Sequence, residues 1–229
     1  MEQVMKFTLG IVSGLLLASG AAQASLEFVG PQQFSGTGLG AVNTVLTLQS
    51  PANSTSESGS VGVGSGNTQV ITGDAKTGAS QTTLRTLGDL GIASLADLRI
   101  VFNADEPGTT ADNGITLNDL VLNIYSPTGS LLFNSGSFSS RTFTSTFPGI
   151  GNSGFVFRLD NAQLLQAQAA LGTSFAGDRI GLSASLTNAT GGPETFFVTG
   201  AAPIPEPSTY ALMVAGLVVT GGLVRRRKR

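Results

Sequence analysis

A period-two alternation of apolar and polar residues constrains the fold of this chain most. Residues 180, 182, 184 and 186 are Ile, Leu, Ala and Leu, whereas residues 179, 183, 185 and 187 are Arg, Ser, Ser and Thr. Residues 98–102 and 155–159 carry Leu, Ile or Phe at every second position in the same way. Successive side chains of a strand point to opposite faces, so these segments predict strands with one buried and one wet face.

The segment 115–125 changes parity midway, since its Ile and Leu residues occupy odd positions at first and even positions later. This switch predicts a β-bulge near Asn118 and Asp119, or two strands that meet at a bend. Residues 126–129 read Ser-Pro-Thr-Gly, with Pro at the second and Gly at the fourth position of a tight turn. The turn predicts a hairpin that returns the chain into residues 131–133.

One helix is predicted after residue 160. Asp160 is a suitable N-cap, Gln163 follows three residues later, and a run of Ala, Leu and Gln leads to Gly172. These are the start and stop signals of a short capped helix.

Many short strands with a single helix predict an all-β fold. We expect an antiparallel β-sandwich or jelly-roll-like domain over residues 25–202, flanked by an N-terminal signal peptide and a C-terminal transmembrane helix. Within the domain, the polar stretch PANSTSESGSVGVGSG has little to bury and predicts a Gly/Ser-rich loop near residues 50–69.

Composition excludes several functions. Residues 25–204 carry 12 acidic and 6 basic side chains, so this part has no electrostatic footprint for nucleic acid. The chain has no cysteine and no histidine, which excludes disulfides, thiolate or imidazole metal sites and catalysis by Ser-His-Asp or Cys-His systems. We therefore expect a protein that is not an enzyme.

The N-terminus has the layout of a secretory signal peptide. Lys6 precedes an apolar run over residues 7–18, and Ala22 and Ala24 form an A-x-A cleavage site. We expect removal of residues 1–24, so that the mature chain starts at Ser25.

The C-terminus combines a short motif, an uncharged run and a basic cluster. Pro205, Glu206 and Pro207 precede residues 208–224, which are 17 uncharged residues. As a helix this run covers about 25 Å, the short end of what crosses a membrane. A basic tail follows this run and consists of Arg225, Arg226, Arg227, Lys228 and Arg229. By the positive-inside rule, the tail keeps the C-terminal end of the run in the cytoplasm, and the domain then lies on the other side of the membrane.

The final segment, PEPSTYALMVAGLVVTGGLVRRRKR, resembles the PEP-CTERM sorting signal of exported proteins from Gram-negative bacteria. The resemblance covers residues 203–229 and implies that an exosortase, an integral-membrane protease, recognises Pro205, Glu206 and Pro207. It implies an inner-membrane-anchored precursor with its domain in the periplasm, and later a place at the cell surface or in the extracellular matrix. Exopolysaccharide is the implied further partner. The alternative is a plain anchor that is never cut.

One acidic stretch is a candidate for calcium. Asp105, Glu106, Asp112, Asn113 and Asp119 fall close together, and carboxylates at loop spacing can gather Ca²⁺ through oxygen ligands. The EF-hand spacing is not met. The alternative is a set of solvated loop charges with no cofactor, and the metal candidates are Asp105, Asp112 and Asp119.

Two further chemistries are conceivable for the domain. Glu57, Glu106 and Glu194 could in principle form a glycosidase pair, although any acidic protein offers such pairs. Glycan binding needs an aromatic face, and Tyr125 is the one tyrosine before the C-terminal segment. The sequence thus predicts a non-enzymatic exported surface or biofilm/exopolysaccharide-matrix protein. A lectin-like glycan-binding adhesin, with or without calcium, is the alternative.

Overall fold

The computed structural model describes residues 25–33, 43–78, 81–104, 114–144 and 153–200. These residues form twelve strands and one α-helix. In chain order they are β1 (Glu27–Gln33), β2 (Thr44–Leu48), β3 (Ser56–Val63), β4 (Gln69–Gly73), β5 (Arg85–Thr86), β6 (Leu98–Asn103), β7 (Ile115–Tyr125), β8 (Leu131–Asn134), β9 (Arg141–Phe143), β10 (Ser153–Arg158), α1 (Asn161–Leu171), β11 (Arg179–Thr187) and β12 (Glu194–Gly200).

The strands form two antiparallel sheets. The five-stranded sheet has the order β1-β10-β6-β12-β2, and the seven-stranded sheet has the order β4-β3-β11-β7-β8, with β5 paired to β11 and β9 paired to β7. One apolar core lies between them, with Phe102, Phe157 and Phe196 from the first sheet and Leu122 and Leu182 from the second. The predicted all-β sandwich with one helix is confirmed.

The predicted bulge and hairpin are both present. Asp119 pairs with Ser185 and Leu117 pairs with Leu186, so Asn118 is the extra residue of β7. Because of this extra residue, the buried side chains of β7 are at odd positions before the bulge and at even positions after it, and both halves of the strand face the core. The turn closes through a hydrogen bond from the Gly129 N–H to the Ser126 carbonyl over 3.0 Å, and β8 returns beside β7.

Helix α1 begins and ends where the sequence predicts. The Asp160 carboxylate accepts from the Gln163 backbone N–H over 2.7 Å, and the Gln163 side chain accepts from the Asp160 N–H, which is a complete capping box. Gly172 ends the helix with a φ of 67°. The Gln163 amide is buried and donates to the Ser135 carbonyl over 2.6 Å, which ties α1 to the chain after β8.

The prediction of a loop over residues 50–69 is wrong for its central part. Strand β3 lies between β4 and β11 and pairs along both edges. Its residues alternate, with Glu57, Gly59 and Val61 facing the core and serines facing out. A Cβ at Gly59 would lie 2.7 Å from the Thr72 carbonyl, so this strand needs a glycine there. In β3 the glycines allow close packing and the serines form a polar outer face. The same composition predicts a loop when it is considered without the neighbouring strands.

The expectation of one wet face is wrong for the centre of the five-stranded sheet. Val101 pairs with Val156 on one side and with Phe197 on the other. These three side chains form a second apolar cluster opposite the main core and are exposed by 6% or less. Strands β6 and β10 therefore bury both of their faces at Val101 and Val156, whereas Arg158 stays exposed.

Several predicted features lie outside the described residues. These are the signal peptide with Ala22 and Ala24, the candidate ligands Asp105 and Asp112, and residues 201–229 with the predicted transmembrane helix. Within the part of the chain that the structure describes, no helix has the length and apolarity needed to cross a membrane.

Candidate functional site

One end of the sandwich holds a buried carboxylate, that of Glu57. This residue lies near the start of β3, faces the space between the sheets, and is 2% exposed. Its Oε1 accepts two hydrogen bonds from Ser50, from the backbone N–H over 2.6 Å and from the hydroxyl over 2.8 Å. The side chain thus reaches from β3 to the loop that follows β2 and fixes the path of that loop.

The second oxygen of this carboxylate, Oε2, is buried and accepts no hydrogen bond from any residue the structure describes. A buried polar atom without a partner costs free energy, about 1 to 3 kcal/mol in mutational data and more when the group is charged. Native proteins contain few buried polar atoms without a hydrogen-bond partner, and such atoms often lie at functional sites or beside a bound water or ion. Glu57 is therefore a candidate for binding something besides Ser50.

A second buried carboxylate, Glu194, lies at the same end. It opens β12, is fully buried, and pairs with Leu48 at the end of β2. Leu48 packs close to Gly59, two residues beyond Glu57 on the same face of β3. The two carboxylates therefore enter the inter-sheet space from opposite sheets, near the same loop.

A surface cleft of about 520 Å³ opens above this end. Its walls are the loop between β2 and β3 and the loop between β11 and β12. Hydroxyl and amide side chains supply most of the lining, which consists of Gln49, Ser50, Pro51, Asn53, Ser54, Thr55, Ala189, Thr190 and Gly191. Ser50 belongs both to the cleft and to the Glu57 hydrogen bonds, so it joins the buried carboxylate to the cleft.

A different surface presents the aromatic ring of Tyr125. This residue ends β7 and faces outward from the seven-stranded sheet, where it is half-buried. Its ring covers Gly181 of β11, and its hydroxyl lies above Gly62 of β3. Ser60 and Ser183 continue the same outer face as a cross-strand pair. The result is an aromatic ring lying against a sheet beside a row of hydroxyl groups.

Of the candidate calcium ligands, Asp119 is described, and it is bound to the protein itself. Its Oδ1 accepts from the Phe138 N–H over 2.8 Å and from the Leu120 N–H over 3.0 Å. It thus stabilises the bulge of β7 and anchors the chain that follows β8. Within the described ranges, no group of three or more Asp, Glu, His or Cys side chains has the arrangement of a metal site.

Two other acidic residues have shifted pKa values. The Arg158 guanidinium donates to Glu27 over 2.9 Å at the exposed edge of β1 and β10, which lowers the pKa of Glu27 and raises that of Arg158. Burial of Asp178, just before β11, raises the pKa of this carboxyl. Neither residue lies at the cleft.

Sequence reasoning named Glu57 and Glu194 as part of a generic carboxylate set and missed the cleft. The signal that could have found the site is the parity of β3, since Glu57 shares its face with buried Val61. The Gly/Ser-rich composition of residues 50–69 masks that parity, because it predicts a loop.

Comparison with known proteins identifies the C-terminal segment. The family model of the PEP-CTERM protein-sorting motif matches residues 203–228, which include Pro205, Glu206 and Pro207. No curated protein and no solved structure matches the chain. The motif marks an exported protein whose membrane-anchored precursor is processed by an exosortase, a membrane protein, for surface localisation.

Proposed function

We propose that this exosortase substrate is a non-enzymatic surface protein of a biofilm or exopolysaccharide matrix. The observation that carries the proposal is the PEP-CTERM motif at residues 203–228. An exported sandwich released from a membrane anchor suits a structural or adhesive role outside the cell. The precursor spans the inner membrane through residues 208–224, with its domain in the periplasm, until the exosortase acts at Glu206 and its flanking prolines.

The side-chain chemistry of the chain supports a role without catalysis. The chain has no histidine or cysteine to act as nucleophile or base near neutral pH. A glycosidase needs two carboxylates that reach the glycosidic bond. Glu57 and Glu194 are 2% and 0% exposed, so neither can touch a sugar without opening the sandwich. Their burial supports a binding or structural role over catalysis.

A lectin-like adhesin is the second candidate, and the surface around Tyr125 favours it. A pyranose ring stacks on an aromatic face while its hydroxyl groups pair with polar neighbours. Tyr125 offers such a face beside Ser60 and Ser183, on the outer side of the seven-stranded sheet. The ligand would be an exopolysaccharide, and Arg179, the cross-strand partner of Tyr125 on the same outer face, adds one positive charge beside the ring.

The test of the sorting role is intact mass of the protein recovered from its host. We expect the wild type to lack residues 1–24 and the C-terminal tail. Glu206→Ala should keep Arg229 and remain in the membrane fraction, whereas the neighbouring Ser208→Ala should be processed normally. A wild-type protein that retains Arg229 would identify a permanent anchor and remove the support for the matrix role.

A further inference from the structure

We propose that the end of the sandwich beneath the cleft binds a divalent cation, Ca²⁺, with Glu57 as its anchoring ligand. Glu57 is 2% exposed, and its buried Oε2 atom has no hydrogen-bond partner among the described residues. The proposed site is independent of whether the protein acts as a matrix component or as an adhesin.

The chemistry of Glu57 selects a cation over a hydrogen-bond donor. Both donors of Ser50 already point at Oε1. Among the described residues the lysine ammonium, that of Lys76, donates to Gln49, and Glu57 forms no ion pair with a described residue. A carboxylate oxygen that is buried without a partner is costly, and an opposite charge beside it offsets that cost. A bound metal ion provides that charge.

The surrounding donor atoms select the kind of metal. The chain has no cysteine or histidine, so soft or nitrogen ligands of the kind that hold zinc are absent. The cleft offers hydroxyl, amide and backbone carbonyl oxygens, and Glu57 behind Ser50 adds a carboxylate, which are the ligands of hard cations. Irregular loops suit Ca²⁺, which accepts six to eight oxygens in flexible geometry, better than Mg²⁺, which demands a near-ideal octahedron.

Two loops and both sheets meet at this point. The Ala189 N–H donates to the Thr55 carbonyl over 3.0 Å, so the two cleft loops are already joined to each other. Glu57 comes from one sheet and Glu194 from the other. An ion bound at Glu57 would add a link at the point where β3 meets the loop after β2, and would raise the stability of the sandwich at this end.

The test measures Ca²⁺ binding and thermal stability of the processed protein after chelator treatment. We expect equilibrium dialysis to give one bound Ca²⁺ at a dissociation constant of about 10⁻⁴ to 10⁻³ M, as in other extracellular modules. The melting temperature should rise with Ca²⁺ over the same range and return to its starting value with chelator. Equal concentrations of Mg²⁺ should give a smaller rise.

The decisive variant is Glu57→Gln, which keeps the size of the side chain and removes its charge. It should lose the bound Ca²⁺ and the Ca²⁺-dependent rise in melting temperature. Glu27→Gln, at an exposed carboxylate of β1, should keep both. A wild-type protein that binds no Ca²⁺ in dialysis overturns the proposal, and this result does not depend on how the variant folds.

Two other outcomes would also overturn it. If Glu57→Gln retains the ion but Asp119→Asn loses it, the calcium belongs to the acidic stretch at residues 105–119. If Glu57→Gln melts higher than the wild type without responding to Ca²⁺, Glu57 is a buried acid with no cation. Processing at Glu206 is measured separately by mass, so failure of the calcium site leaves the sorting function unaffected.

Discussion

The ring of Tyr125 lies against Gly181, with its Cε2 atom 3.1 Å from the position that a Cβ would occupy on this glycine. Gly62, the cross-strand partner of Gly181, lies beneath the hydroxyl of the same ring, 2.9 Å from the corresponding Cβ position. Two paired glycines on adjacent strands thus leave the space in which an aromatic side chain lies along the sheet.

Gly181→Ala should destabilise the protein. The added Cβ would lie 2.5 Å from the Val61 carbonyl and would also push against Tyr125. Such overpacking costs about 1 to 3 kcal/mol, measurable as a lower midpoint in urea unfolding. Ser183→Ala, two residues along the same outer face, should change the free energy of unfolding by less than about 0.5 kcal/mol. Equal stability of the two variants would contradict the packing described for Tyr125.

Tyr125→Ala should weaken retention on a column of the host's exopolysaccharide if the adhesin candidate is correct. Tyr125→Phe should keep most of it, because the stacking face of the ring remains when the hydroxyl is removed. Loss of a single aromatic stacking contact corresponds to roughly 0.5 to 1.5 kcal/mol, or up to about tenfold in affinity. If wild type and Tyr125→Ala elute together in the void volume, the glycan-binding role is lost and the structural role remains.

Asp160→Ala should weaken the domain at the start of α1. The substitution removes the carboxylate that accepts from the Gln163 N–H, and an N-cap of this kind contributes about 1 kcal/mol. Asn161→Ala, at the exposed first residue of the helix, is the matched control. Guanidinium unfolding followed by circular dichroism would measure both, and a control as unstable as Asp160→Ala would argue against a specific capping effect.

Asp178→Asn should stabilise the protein at neutral pH and leave it nearly unchanged in acid. Burial raises the folded-state pKa of Asp178 above its ordinary value of 3.8, so the folded state holds this proton more tightly than the unfolded chain does. Its contribution to stability is therefore complete below that value and is lost as the pH rises through the higher folded-state pKa. The variant carries no such proton.

The measurement is thermal unfolding of wild type and Asp178→Asn from about pH 3 to pH 7, with the two curves subtracted. Acidic groups common to both proteins cancel in the difference. We expect the advantage of the variant to appear above pH 4 and then to level off. A constant difference over the whole range would mean that ionisation of Asp178 is not its cause.

The sequence predicted those parts of the fold that depend on neighbouring residues. Three local features depend on only a few neighbouring side chains each. They are the capping box at Asp160 and Gln163, the turn at residues 126–129 and the bulge at Asn118. The alternating segments specified strands for the same reason. The sorting motif was also readable directly, because a protease reads a short linear segment and needs no fold.

Strand β3 and the site near it could not be predicted in this way. A Ser- and Gly-rich segment has a weak strand signal of its own, and it becomes a strand because β4 and β11 supply partners on both edges. The burial of Glu57 follows from that pairing and from Ser50, seven residues earlier in the chain. No local pattern predicts that Glu194 lies at the same end of the sandwich, because it belongs to β12 of the opposite sheet.

The sorting motif and the local elements of the sandwich can be read from the sequence, because both depend on the order of neighbouring residues. The tertiary structure alone decided which polar residues became buried and which glycines came to lie under Tyr125. Those outcomes depend on contacts between segments far apart in sequence, where hydrogen-bond partners and close packing, and not local propensity, fix the position of each side chain.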